Sequence, residues 1–300
     1  MASLSAVLVV LCCAGCTTAA LGSNAARTSR HRPAAKSKAR PETPSARQTP
    51  KTPSAERTPQ PPSAQQELTA ALASLAASDG GHFAVAVDDL TNGQQAVYAG
   101  TQEFVTASIV KVDILVTLLY QAQETGQALT AEEQDLATTM IENSDNDSAS
   151  ALYDDAGGAE AIDDANRDCG LTETTAGTDG YWGLTTTTVD DQIRLLRVVF
   201  ARPSPLSPAS QQYVQSLMSQ VETDQQWGVP AAADPGTQFM VKNGWLPNPT
   251  LWEINSIGEI THDGQRMLIA VLSDDNASED GGISVVEEAA EEAASAVTRS

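Results

Sequence analysis

Histidine is scarce in this 300-residue chain, and cysteine is nearly absent from its larger part. The three histidines, His31, His82 and His262, lie far apart, and the single cysteine after residue 16 is Cys169. So small and scattered a set of nitrogen and sulfur ligands argues against a metal enzyme. One cysteine cannot close an internal disulfide. We therefore expect no metal and no other cofactor.

Basic residues are also few, and most of them lie near the start of the chain. Residues 1–64 hold nine Lys and Arg against two Asp and Glu, a net charge of +7. Residues 65–300 hold eight against thirty-seven, a net charge of −29. A region this acidic repels phosphate backbones, so we expect no nucleic-acid partner.

The first residues lack a hydrophobic run long enough to cross a bilayer, which takes about 20 residues. The segment MASLSAVLVVLCCAGCTTAALGS instead has a short apolar core, which predicts an export signal over residues 1–22. Within it, CAGC resembles a bacterial lipobox, in which Cys16 becomes the lipidated first residue. The alternative is cleavage near Ala20. The protein is then either anchored at the outer face of the cell membrane or secreted.

Residues 23–64 lack any apolar periodicity and are rich in Pro, Ser, Thr, Ala and Arg. Such a composition cannot bury a core and predicts a disordered tether. Residues 65–300 are long enough to fold by packing alone, and we expect one domain there.

Periodicity within residues 65–300 predicts an α+β fold. A helix and a hairpin that turns at Asn92-Gly93 come first, and strands from Thr237 and a closing helix over Ile283–Thr298 come last. The region between them, about 112–225, is predicted to be mostly helical. We expect an antiparallel sheet flanked by helices, with an all-helical lobe inserted and a cleft between the two parts.

Only two of the five lysines, Lys111 and Lys242, lie in this acidic domain. Lys111 follows Ser108 by three residues in an apolar helical segment, so the two side chains share one helix face. A serine hydroxyl needs a base to become a nucleophile, and a lysine surrounded by apolar residues can act as one. The chain has no Gly-x-Ser-x-Gly motif and no histidine placed for that task.

Two further motifs follow in order: Ser144-Asp145-Asn146 before a helix and Lys242-Asn243-Gly244 on a strand. Ser-x-x-Lys, Ser-Asp-Asn and Lys-x-Gly in this order resemble the class A β-lactamases and penicillin-binding proteins. The resemblance covers residues 65–300 and implies a β-lactamase/transpeptidase-like fold. It also implies a serine hydrolase that forms an acyl-enzyme with a β-lactam or a D-Ala-type cell-wall peptide, and we expect a monomer.

The resemblance assigns roles by position. Ser108 would be the nucleophile, Lys111 its base, and Ser144 a proton relay to the leaving nitrogen. The substrate would be bound by Asn146, Lys242, Asn243, Gly244 and Trp245, with the backbone N–H groups of Ser108 and Trp245 stabilising the oxyanion. Ser-Asp-Asn also suits a helix cap, which is compatible with catalysis.

Two positions depart from the family pattern. The third motif has Asn243 where the family has Thr or Ser, and the loop LTETTAGTDGYWGLTTTT lacks the family's Glu-x-x-x-Asn, since Glu173 is followed by Gly177. Three interpretations stay open: an active serine hydrolase, a penicillin- or muropeptide-binding lipoprotein that is acylated without turnover, and a non-catalytic structural lipoprotein.

Overall fold

The computed structural model describes residues 62–79 and 82–299. The predicted export signal, Cys16 and nearly all of the predicted tether lie outside the described residues.

A five-stranded antiparallel sheet forms the base of the fold, with strand order β2-β1-β7-β6-β5. Its strands are β1 His82–Asp89, β2 Gln95–Tyr98, β5 Met240–Asn248, β6 Leu251–His262 and β7 Gln265–Asn276. A separate pair of short strands, β3 Phe104–Val105 and β4 Thr186–Thr187, joins two loops. The β6–β7 turn has both Asp263 and Gly264 at positive φ, which fits a tight two-residue hairpin.

One face of the sheet is covered by the first and last helices, α1 Ala64–Asp79 and α8 Glu279–Thr298. Leu68 and Leu72 of α1 are fully buried, and burying each leucine stabilises the fold by about 2 kcal/mol. Helix α8 begins before its first apolar residue because the Ser278 hydroxyl accepts a hydrogen bond from the Gly281 N–H at 3.1 Å.

The other face packs against a helical region that lies between β3 and β5. Its helices are α2 Val110–Thr125, α3 Ala131–Glu142, α4 Asn146–Ala156, α5 Gly158–Cys169, α6 Val189–Phe200 and α7 Pro208–Met218. Every residue of α2 from Val110 to Leu119 is buried, as expected of a central helix that is mostly apolar, and the buried set includes Lys111 and Asp113. This arrangement confirms the predicted α+β architecture.

Within residues 62–79 and 82–299, no helix is both long and apolar enough to cross a membrane.

Candidate active site

Ser108 lies in a 3₁₀ turn, Ala107–Ile109, that links β3 to helix α2. Ala107 has φ of 46°, a left-handed conformation that residues with a Cβ rarely adopt outside functional or strained sites. The Ser108 side chain is half-buried, and its hydroxyl has no hydrogen-bond partner among the described residues. The hydroxyl is therefore held at the end of a constrained turn and is not committed to another group.

Gly244 of the third motif packs against the backbone of the turn that carries Ser108. A Cβ atom at Gly244 of β5 would lie 2.7 Å from the Thr106 carbonyl oxygen and 2.8 Å from the Ser108 backbone nitrogen. The amide of Asn255, on the neighbouring strand β6, donates to the carbonyls of Val105 and Thr106 at 2.9 and 3.0 Å. Strand and turn approach so closely that only glycine fits at position 244.

Gly244→Ala is expected to push the Ser108 turn away from β5 and to slow acylation of Ser108 by about 100-fold, since small misplacements of reacting groups are costly. Gly183→Ala is the matched control, because a Cβ there meets nothing within 4 Å. Rates of Ser108 labelling by a fluorophosphonate would be compared. Equal rates in both variants would mean that the turn tolerates displacement.

Lys111 is fully buried one helical turn after Ser108. Its Nζ donates to the Ser144 carbonyl at 2.6 Å, to Ser144 Oγ at 3.1 Å and to Asn146 Oδ1 at 2.8 Å. Burial lowers the pKa of Lys111 to about 7, and the Asp145 carboxylate opposes this shift. A substantial fraction of Lys111 is therefore neutral near pH 7 and able to accept a proton.

Ser144 lies between two amines. It has φ of 56° in the loop between α3 and α4, and its Oγ accepts from Lys242 Nζ at 2.9 Å as well as from Lys111. Asp145 is the N-cap of α4 and accepts from the Ser148 N–H at 2.7 Å. The segment thus caps a helix through Asp145 and directs Ser144 and Asn146 toward Lys111.

The residues of the third motif take different positions. Lys242 is fully buried, and its Nζ donates a second hydrogen bond to the Asn243 carbonyl at 3.0 Å. Burial and the nearby Lys111 hold the pKa of Lys242 well below the ordinary lysine value. Asn243 is equally buried, and its amide donates to the carbonyls of Gln225 and Trp227 at 2.8 and 2.9 Å. Because side chains alternate along a strand, Asn243 faces away from Lys111 and anchors the loop that carries Gln225 and Trp227, rather than lining the face that carries Lys242.

Trp245 is half-buried and packs edge-on against Trp227, with ring centroids 6.0 Å apart. The structure therefore joins Lys111, Ser144, Asn146 and Lys242 in one hydrogen-bonded cluster and places Gly244 against the Ser108 turn.

Trp182 lies against Lys111. Its ring centroid lies 5.0 Å from Lys111 Nζ, and its Nε1 donates to Ser150 Oγ at 3.1 Å. The turn that carries it, Trp182–Leu184, is held beside Ser108 by the β3–β4 pair and by the hydrogen bond from the Thr106 N–H to the Thr185 carbonyl at 2.8 Å. The Trp182 indole therefore lies beside the Lys111 amine.

The carboxylate of the same loop lies elsewhere. Glu173 is exposed, and its Oε2 accepts from Thr188 Oγ1 at 3.3 Å beside the start of α6. It makes no hydrogen bond to Lys111, whose partners are Ser144 and Asn146.

Sequence reasoning did not single out Trp182, Ser150 or Asn255 as site residues. No motif spacing marks them, because each reaches the cluster from another element through the folding of the chain. Among the described residues, no three His, Cys, Asp or Glu side chains are grouped so that they could hold a metal ion.

Comparison with known proteins identifies the family and the fold. A model of the beta-lactamase enzyme family matches residues 66–132 and 124–297. The lipoprotein candidate LppW of Mycobacterium tuberculosis is 29% identical over 179 residues, which are 57% of this chain and 56% of LppW. The same values hold for LppW of Mycobacterium bovis. The matched part thus spans little more than half of these relatives.

Two solved structures share the fold. A class A β-lactamase from Bacteroides cellulosilyticus has a TM-score of 0.69 at 17% identity, covering 80% of this chain and 100% of that one. A β-lactamase from Burkholderia vietnamiensis has a TM-score of 0.67 at 20% identity, covering 78% and 97%. The family match and the fold indicate the serine acyl-transferase superfamily. The chain belongs to the beta-lactamase enzyme family.

Proposed function

We propose that this protein is a serine hydrolase that is acylated at Ser108 by β-lactams or by cell-wall peptides ending in D-Ala. The observation that supports it best is the pairing of Ser108, whose hydroxyl has no hydrogen-bond partner within residues 62–79 and 82–299, with buried Lys111 one turn later, whose pKa is lowered to about 7. Ser108, Lys111 and Ser144 are the proposed catalytic residues. Asn146, Lys242, Gly244 and the backbone N–H of Trp245 are proposed to surround the substrate.

Acylation proceeds as a balanced proton relay in this proposal. The Ser108 oxygen bonds to the substrate carbonyl carbon while its proton moves to neutral Lys111. The tetrahedral oxyanion is stabilised by the backbone N–H groups of Ser108 and Trp245. The carbon–nitrogen bond then breaks, and the proton passes from Lys111 through Ser144 Oγ, 3.1 Å away, to the leaving nitrogen. Lys242 Nζ, which donates to Ser144 Oγ at 2.9 Å, orients the Ser144 hydroxyl for this transfer.

We further propose that the protein acts outside the cytoplasm, lipid-anchored through Cys16 or secreted after signal cleavage. The apolar segment and CAGC at the start of the sequence support export, and the lipoprotein name of LppW supports the anchor. Neither substrate class requires a metal or an organic cofactor for this chemistry.

The test is the intact mass of the protein after incubation with a penicillin. An increase by the mass of the drug that is absent from Ser108→Ala is the expected result. A fluorophosphonate, which labels activated serines, is used in parallel. If neither reagent modifies the wild-type protein, the site is not an acylating one, and the non-catalytic lipoprotein becomes the better interpretation; in that case Ser108→Ala alters only stability.

A second candidate function is a binding protein that is acylated by penicillins or muropeptides and then stays acylated. The position of Trp182 favours it, because an indole rather than a carboxylate lies against Lys111. Both functions share the same acylation step and differ in the lifetime of the adduct.

A further inference from the structure

We propose that Trp182 shields Lys111 from water and thereby makes the Ser108 acyl-enzyme long-lived. This inference rests on the proposed function, since it concerns the fate of the acyl group after Ser108 has reacted. It assigns to Trp182 a positioning role: the side chain acts on the reaction through Lys111 and does not itself transfer a proton.

The contacts of Lys111 carry the argument. Its side chain is fully buried although it lies beside a nucleophile that must admit substrate. Ser144 and Asn146 contact its Nζ through hydrogen bonds, and the Trp182 ring lies 5.0 Å from the same atom. Trp182 itself is half-exposed. The indole is therefore a single layer of side chain between the lysine and the solvent.

The layer is held firmly in place. The indole N–H donates to Ser150 Oγ, and the Ser150 hydroxyl in turn donates to the Asn146 carbonyl at 2.9 Å. On the other side, Thr185 Oγ1 donates to the Trp182 carbonyl at 2.7 Å. These bonds tie Trp182 to the helix that carries Asn146 and to the strand pair beside Ser108, so the ring has little freedom to swing away from Lys111.

Deacylation needs a water molecule beside a base, and the Trp182 ring keeps water away from Lys111. A water oxygen must bond to the ester carbonyl carbon while its proton moves to a base; the bond from that carbon to Ser108 Oγ then breaks, and the serine oxygen takes the proton back. The water must lie within about 3 Å of the base. Lys111 and Lys242 both have lowered pKa values. Lys242 is held by Ser144 Oγ and the Asn243 carbonyl, whereas Lys111 lies one helical turn from Ser108 with the indole against it.

The carboxylates of the neighbourhood do not replace it. Asp145 caps helix α4 and Glu173 is bonded to Thr188. Neither makes a hydrogen bond to Lys111 or to Ser108. Water activation therefore depends on access to Lys111, and Trp182 controls that access.

The experiment compares the wild-type protein with Trp182→Ala, Trp182→Phe and Ser150→Ala. Each is acylated with a penicillin, excess drug is removed, and intact mass gives both the acylation rate and the half-life of the adduct. We expect Trp182→Ala to shorten the half-life at least 10-fold while the acylation rate changes less than threefold. Trp182→Phe keeps a ring over Lys111 and is expected to retain most of the wild-type half-life.

The controls separate shielding from simple loosening of the loop. Ser150→Ala removes the partner of the indole N–H and leaves the ring, so its adduct half-life is expected to lie near that of Trp182→Phe. Thermal unfolding of every variant identifies any that fails to fold. If Trp182→Ala does not fold, Trp182→Leu, which retains apolar bulk, replaces it and is expected to give a half-life shorter than that of Trp182→Phe.

The outcomes are distinct. An unchanged half-life in Trp182→Ala, or a Trp182→Phe adduct as short-lived as that of alanine, would overturn the shielding role and leave acylation at Ser108 intact. A wild-type adduct that is lost within one minute would overturn it as well. No adduct on the wild-type protein with either a penicillin or a fluorophosphonate would overturn the proposed function itself, and the shielding role with it.

Discussion

Replacing Lys111 by methionine is expected to slow acylation of Ser108 by about a thousandfold, because a positioned general base contributes roughly 10²–10⁴ in rate. Methionine keeps much of the buried length of the side chain and removes the amine that is proposed to accept the Ser108 proton. The measurement is the rate of Ser108 labelling by a fluorophosphonate, followed by intact mass. The folded state of the variant is checked by its thermal unfolding midpoint.

Lys111→Arg is the matched control for charge. Arginine retains a cation beside Ser144 and Asn146 but cannot give up its proton in a protein, so it cannot act as a base. We expect Lys111→Arg to be slowed about as strongly as the methionine variant. An arginine variant that is labelled at the wild-type rate would show that positive charge, rather than proton acceptance, is what Lys111 supplies.

The pH dependence follows from the same group. Lys111 accepts a proton only when neutral, and its pKa is lowered to about 7 by burial. The acylation rate of the wild-type protein is therefore expected to rise with pH and to level off above about pH 8. In Lys111→Met this rise is expected to disappear. A wild-type profile that is flat between pH 5.5 and 8.5 would contradict the assignment of the base.

The second large effect concerns stability. Asp113 lies on α2 two residues after Lys111, is almost fully buried, and accepts one hydrogen bond from Asn166 Nδ2 at 2.9 Å. Its other carboxyl oxygen has no partner among the described residues. Burial raises the pKa of Asp113 to about 7; the hydrogen bond from Asn166 opposes the rise, and the nearby Asp163 and Asp191 add to it.

The sign of the effect is fixed by the two pKa values. The ordinary aspartate pKa of 3.8 applies to the unfolded chain, so between about pH 4 and pH 7 the folded protein binds the extra proton. Stability is then lost as the pH rises toward 7. Asp113→Asn removes this dependence and keeps an acceptor for Asn166. Each pKa unit corresponds to about 1.4 kcal/mol. The difference in unfolding free energy between Asp113→Asn and the wild-type protein should therefore shift in favour of the variant by about 3 kcal/mol from pH 5 to pH 8.

Urea unfolding of wild type, Asp113→Asn and the exposed control Asp224→Asn, each at pH 5 and pH 8, measures this change. The control removes the same charge without burial and should show little pH-dependent gain. If Asp113→Asn has the same advantage at both pH values, then Asp113 is ionised in the folded protein throughout this range.

Much of the fold was predictable from the sequence because its elements are signalled locally. The apolar spacing of Leu68, Leu72 and Leu75 indicates a helix, and the Asp263-Gly264 pair indicates a hairpin turn; both occur in the structure. The start of α8 was predicted four residues too late, at Ile283, because its first turn is acidic and is recognised only through the Ser278 cap.

In the candidate site, too, some features were predictable from the sequence and others only from the folded chain. The order of three short motifs along the chain was enough to select Ser108, Lys111, Ser144, Asn146 and Lys242, since each motif keeps its own residues close in sequence. Their roles in catalysis stay predictions, to be tested by the variants above. The hydrogen bonds that join Lys111 and Lys242 through Ser144 are a property of the folded chain.

By itself, then, the sequence determined the class of fold and the residues of the motifs, because helix and strand periods and motif spacing are local. Only the tertiary structure decided that Asn243 turns into the protein to hold Gln225 and Trp227, that Asn255 secures the Ser108 turn, and that Trp182 lies over Lys111. The physical reason is that these contacts join distant segments. Their geometry depends on how loops pack against the sheet and helices, which no spacing within a single segment encodes.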